Sequence, residues 1–210
     1  MTGLPPLSDL ELRDLREPSP LAIGGMDQSL TSFGFARVCG GQAKAWRVET
    51  GKLRGDERLE VLLEHVRDAA MGLDVVIVEG LAQKAAGSSL LDLAGLLALV
   101  GHELWKMRVP YVVVSPYRRA AYITGKASSP KDQCLAAAIK RFAPVADLTG
   151  NDEADAMTLA HMGADHYGCP LVKMPADRIE GLHAVHPKNT VRARKGDPII
   201  NWPQISRETA

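Results

Sequence analysis

LAIGGMDQSLTSFGFARVCGGQAKAWRVET, residues 21–50, decides the fold. Three strand-like runs, 21–29, 33–40 and 43–50, are separated by glycine-containing turns at spacings suited to an antiparallel meander. Immediately downstream, ERLEVLLEHVRDAAMG (57–72) sets Leu59, Leu62, Leu63, Val66 and Ala70 at helical spacing and stops at Gly72. DVVIVEG (74–80) is then short, β-branched and apolar on both faces, the pattern of a central strand covered by helices on both sides.

Working outward, SSLLDLAGLLALVGHELWKMR (88–108) reads as a long helix and PYVVVSP (110–116) as a second buried strand, which together give βαβ alternation. The segment YRRAAYITGKASS (117–129) reads as a loop. Helices follow at SPKDQCLAAAIKRFA (129–143) and NDEADAMTLAHMGADHYG (151–168). The order βββαβαβαα predicts an α/β fold with a mixed sheet and three layers. Residues 1–20, with a short helix capped by Ser8 and a proline-rich stretch, read as an N-terminal extension. Residues 21–168 form the domain. Residues 169–210 lose periodicity, hold five prolines and read as a C-terminal extension.

Composition narrows the function classes. No apolar run approaches the ~18–20 residues that a membrane span needs, and the first residues are acidic and proline-rich, so a soluble, cytoplasmic protein is expected. Cys39, Cys134 and Cys169 are odd in number and far apart, which excludes a disulfide framework or a zinc site of CxxC type. Formal net charge is zero, but Ser115–Phe142 carries Arg118, Arg119, Lys126, Lys131, Lys140 and Arg141 against Asp132 alone. Screening over roughly 10 Å makes such a local excess count for phosphate binding more than the total does.

Three acidic sites carry the candidate chemistry. Asp27 ends the first strand and opens the small-residue turn DQSLTSFG, where a carboxylate either holds a hard cation or bonds nearby backbone amides. Glu79 ends the apolar strand VVIVE, so it lies at the solvent edge or is balanced by a cation or base. Asp152 and Asp155, three apart, share one face at a helix start, a position the helix dipole favours with or without catalysis. All three sites fall where they can converge on one edge of the sheet. Clustered carboxylates repel unless cations fill the gap. Two Mg²⁺ ions about 4 Å apart would serve, and that arrangement predicts in-line phosphodiester hydrolysis.

The motifs resemble a known family. DQSLTSFG is similar to the DPGLTxxG of RuvC-type Holliday-junction resolvases, VVIVEG to their strand-ending glutamate and NDEADAMTLA to their DAADALALA helix, in the same order over about residues 21–168. The resemblance implies a ribonuclease-H-like fold with three antiparallel strands followed by parallel ones. It implies Asp27, Glu79, Asp152 and Asp155 as metal-binding catalytic carboxylates for Mg²⁺, with Mn²⁺ as a substitute. TGKASSPKDQ resembles the segment that supplies a catalytic lysine, here Lys131. Gln28 and Ser29 stand where the family has Pro-Gly, and Ala120 where a further lysine would fall, with Arg118 or Arg119 as its neighbours.

The expectation is a homodimeric, structure-selective DNA endonuclease acting on branched DNA, with Arg118, Arg119, Lys126 and Lys131 on the DNA and Tyr117 and Tyr122 placed to stack on bases. Dimerisation follows from symmetric cutting of a four-way junction, and the resemblance implies the helix at 88–108 as its surface, with the loop before it near the junction; such an apolar stripe is otherwise core. His183 and His186 are incidental. Two rivals share the fold: a non-catalytic DNA-binding module, and an actin-like or sugar-kinase-like phosphotransferase, for which 210 residues leave little room.

Overall fold

A computed structural model describes residues 20–81, 88–183 and 200–205. The expected short helix after Ser8, the segment 82–87 and the basic stretch 184–199 with His186 lie outside the described residues. Strands β1 (Ile23–Asp27), β2 (Ser32–Cys39) and β3 (Gln42–Glu49) precede helix α1 (Gly55–Ala70), strand β4 (Val75–Glu79), helix α2 (Ser88–Lys106) and strand β5 (Tyr111–Val114). Helices α3 (Pro116–Thr124), α4 (Lys131–Phe142), α5 (Asn151–His166) and α6 (Ala176–His183) follow. The sheet order is β3-β2-β1-β4-β5. β1, β2 and β3 pair antiparallel, while β4 pairs parallel with β1 and β5. This is the mixed five-stranded α/β sheet expected from the sequence.

Side-chain alternation divides the core into two layers. Met26, Phe33, Phe35, Val76 and Val78 face α1 and α2, where Leu62, Val66, Leu96, Val100 and Leu104 are buried. Ile23, Ala36, Val38, Val75 and Ile77 face the other way, onto α5, whose Met157, Leu159, Ala160 and Met162 are buried with them. On that second face, period two carries Gly25 and Asp27 along with Ile23, and Glu79 along with Val75 and Ile77. Burial of both strand faces is what DVVIVEG predicts.

Two departures from the sequence reading bear on the site. Residues 116–124 are helical rather than a loop: Ser115 caps α3 by accepting from the Arg118 N–H at 3.3 Å, Pro116 occupies the first turn, and Gly125 closes the helix at φ 88°. These are ordinary start and stop signals. They are obscured because the nine residues present arginines and alanines in place of an apolar stripe. The chain beyond residue 168 also packs: Met174, Leu182 and Ile200 are buried in the α5-side core, and His166 stacks on Trp202 with centroids 4.1 Å apart. The packed unit therefore extends past the expected boundary of the domain.

Candidate active site

The site forms because α5 lies flush on the first two strands. A Cβ built at Gly25 would sit 2.0 Å from the Ala156 carbonyl oxygen, and one at Gly34 would sit 2.1 Å from the Asp152 carbonyl oxygen. Only glycine permits backbone to approach this closely. Gly34 is the cross-strand partner of Asp27, so the same contact that seats the start of α5 sets it beside Asp27. Glu79 follows Val78, which pairs with Met26, and so reaches the same edge from β4.

The three sites of the sequence reading are thereby brought together. Asp27 is 8% exposed and Asp155 6%. Burial, then the neighbouring Glu79 carboxylate and Asp155, push the Asp27 carboxyl well above the ordinary range. Burial is also the main cause that lifts Asp155 to about 6, against the pull of Arg119. Asp152 accepts from Ser32 Oγ at 2.5 Å, one helical turn from Asp155. Lys131, exposed at the start of α4, is close enough to draw on Asp155 electrostatically. Glu153 turns away. It accepts from the Thr149 N–H and hydroxyl at 2.8 and 2.7 Å, which holds it below the ordinary carboxylate range despite burial, and it serves the start of the helix.

Arg119 is placed differently from the sequence expectation. It is 5% exposed, donates from Nε to Glu79 Oε1 at 2.5 Å and from Nη1 to Asp155 Oδ1, and lies inside the acidic cluster. Burial opposes its charge, but Glu79, Asp155 and Asp27 together hold its pKa above the ordinary value. Arg118 is also buried and donates to the Gly181 carbonyl on α6 at 3.4 Å. Neither arginine is a surface phosphate contact as arranged here, because α3 packs both of them inward. Lys126 and Lys131 remain exposed on that segment. Tyr122 is likewise no stacking platform: it is buried, with its hydroxyl bonded to Asp165 and 2.6 Å from His161 Nδ1.

Beside Asp27, the Gln28 side chain donates to the Glu79 carbonyl at 3.1 Å. Its Oε1 is buried and accepts no hydrogen bond among the described residues. Sequence reasoning gives neither Gln28 nor Ser32 a role at the site; the only signal for either is membership of the DQSLTSFG turn. The all-oxygen donor set of Asp27, Glu79, Asp152 and Asp155 suits a hard divalent cation, and the Arg119 guanidinium already stands among these acids as a cation. As bridged by Arg119, the acids do not form a completed ligand set: among the described residues no three His, Cys, Asp or Glu side chains are grouped so as to hold a metal ion.

No protein-family model and no curated protein matches the chain. Solved structures do. The chain is similar to Thermus thermophilus RuvC, with TM-score 0.58 and 17% identity over 74% of this chain and 100% of that one. It is similar to T. thermophilus RuvC in complex with Holliday junction substrate, with TM-score 0.57 and 16% identity over 74% and 99% of the two chains. It is also similar to fowlpox virus resolvase in its complex with substrate Holliday junction DNA, with TM-score 0.52 and 14% identity over 70% and 99%. At such identities the likeness is one of fold, and the chain has the ribonuclease-H-like fold of these Holliday-junction resolvases, the fold its motifs imply.

Proposed function

We propose that the protein is a Mg²⁺-dependent, structure-selective DNA endonuclease that resolves four-way junctions as a homodimer. The observation that carries this reading is the convergence of Asp27, Glu79 and Asp155 from β1, β4 and α5 onto one edge of the sheet. The fold shared with resolvases solved on Holliday junction DNA supports it.

In this reading Asp27, Glu79, Asp152 and Asp155 hold the cations. Bound there, the metal supplies an activated water and stabilises charge on the leaving 3′-oxygen. Ser32 orients Asp152. Gln28 ties the turn after Asp27 to the end of β4 and offers its unused Oε1 to a water or hydroxyl at the site. Lys131 faces solvent beside Asp155 and meets the scissile phosphate, with Lys126 on the flanking backbone. Recognition then rests on junction shape and phosphate charge.

The dimer surface in this reading is the outer face of α2. Leu91, Ala98 and Trp105 recur every seven residues on it and are exposed, Leu91 at 74% and Trp105 at 71%. The edge strand β5 adds Tyr111 and Val113. A seven-residue apolar repeat on an exposed helix face matches the seam of a helix pair, and a two-fold axis through it would set two sites on the opposed strands of a junction.

The test incubates wild-type and Asp155→Asn protein with end-labelled four-way junction, flap and linear duplex, with Mg²⁺ or EDTA. Paired symmetric nicks on the junction are expected, absent with EDTA and reduced more than about 100-fold in the variant, the scale at which even supporting groups act on metal sites. One specific observation favours a second reading, a junction-binding module without catalysis: the acids are bridged by an arginine rather than grouped as a ligand set. Tight junction binding with no Mg²⁺-dependent cutting would establish it.

A further inference from the structure

Arg119 engages two carboxylates delivered by different elements, Glu79 from β4 and Asp155 from α5, through two nitrogens of one guanidinium. A guanidinium is a fixed-charge cation with donors only, and here it occupies lone pairs on Glu79 Oε1 and Asp155 Oδ1 that are then closed to another cation. Mg²⁺ binds carboxylate oxygens at about 2.0–2.1 Å and demands near-octahedral geometry. A guanidinium in contact with the same two carboxylates would then lie against the ion as a like charge, without the water that screens such pairs at a surface.

The body of α3 is anchored independently of this arginine. Arg118 donates to the Gly181 carbonyl, Arg178 donates to the Tyr122 and Ile123 carbonyls, and Ser115 caps the first turn. Arg119 can therefore leave the acids by turning its own side chain while the helix stays in place.

We propose that Arg119 is a tethered counter-cation that occupies the acidic site in the absence of metal and must leave it for Mg²⁺ to bind, so that metal loading and Arg119 docking exclude each other. The proposal rests on the metal-dependent reading above. With Mg²⁺ bound, the freed guanidinium reaches the DNA phosphate, a bidentate acceptor of matching geometry. Arg119 thus exchanges the two carboxylates for a phosphate while the metal takes its place on them, and DNA assists metal loading. Arg119 is in this sense a positioning residue that sets the metal affinity of the resting protein.

The experiment titrates MgCl₂ into DNA-free wild-type and Arg119→Met protein by isothermal calorimetry and follows thermal melting of both. Arg119→Met is expected to bind Mg²⁺ at least about tenfold more tightly, the range over which neighbours of metal ligands act, to melt lower than wild type without metal and to recover with it. Equal Mg²⁺ affinities in the two folded proteins would overturn the proposal and leave the metal-binding reading standing. No Mg²⁺ binding by either protein would overturn that reading itself. Should Arg119→Met not fold, ¹⁵N-labelled wild-type protein decides the matter: the Arg119 Nε–H resonance, assigned by its loss in Arg119→Lys, moves on Mg²⁺ saturation if the proposal holds, and an unmoved resonance refutes it.

Discussion

Replacing Gly25 by alanine puts a methyl group 2.0 Å from the Ala156 carbonyl oxygen and 2.6 Å from the Ala160 nitrogen, where real Cβ contacts stay above 3.0 Å. Both atoms belong to the backbone of a helix buried from Glu153 to Ala164, so no side chain can rotate away and α5 must retreat by about 1 Å. Such overpacking costs about 1–3 kcal/mol, and a backbone-on-backbone clash in the core belongs near 3. For a chain of this size that lowers Tm by about 6–12 °C. The retreat also draws Asp152 and Asp155 away from Asp27, and a displacement near 1 Å at a reacting centre is worth about 100-fold in rate. The assay pairs calorimetric melting with junction cleavage for Gly25→Ala and for a control, Gly181→Ala. Gly181 lies on α6, away from the α2 face, with nothing within 4 Å of an added Cβ, so the same methyl there is expected to stabilise by roughly 0.5–1 kcal/mol. Wild-type melting and cleavage in Gly25→Ala would refute the claim that close approach of α5 builds the site.

His161, fully buried, has its pKa lowered to about 4, first by burial. Its Nε2 accepts from the Val172 N–H at 3.2 Å, leaving Nδ1–H for the Tyr122 hydroxyl, which donates on to Asp165. Because the unfolded chain takes up the proton near 6.5 and the folded one near 4, this residue's contribution is complete above about pH 6.5 and is lost as pH falls toward 4, by up to about 3 kcal/mol. Urea unfolding between pH 7.5 and 5 should show a smaller loss for His161→Gln than for wild type, and equal losses would contradict the assignment. Leu91→Glu with Trp105→Glu is expected to leave a folded monomer by sedimentation and to abolish paired nicking; an unchanged dimer would place the interface elsewhere.

The order of the strands and of the helices α1, α2, α4 and α5 is legible because these elements keep a helical period, alternate, or are apolar throughout. The two faces of VVIVE are both apolar and are both covered, and alternation alone sets Asp27 and Glu79 on the side that α5 occupies. What escapes is α3. Its buried residues are Arg118, Arg119, Ala120, Ala121, Tyr122 and Ile123, two of them arginines, whose ordinary place is at the surface, and a reading built on apolar stripes assigns such a segment to a loop. The misplaced site residues follow from that one omission. As a loop, 117–129 offers its arginines to DNA. As a helix capped at Ser115, it turns Arg118 to α6 and Arg119 to the acids.

The acids are easier to find in the amino-acid sequence than the geometry that unites them. A carboxylate ending a buried strand is conspicuous because burying it alone costs several kcal/mol, so Asp27 and Glu79 stand out in the amino-acid sequence as positions that need a cation, backbone donors or the solvent edge. Gly25 carries no such mark, and Gly34 is marked only as the last residue of the DQSLTSFG turn. A glycine in a strand weakens it or signals a bulge, a bend or a close backbone approach, and its value here lies in the helix it admits, with backbone of α5 where a side chain would otherwise stand. Asp152 and Asp155 come within reach of Asp27 through that absence of side chains. A sequence that kept all four acids and lost Gly25 would still display every motif, yet it would hold the two halves of its site apart.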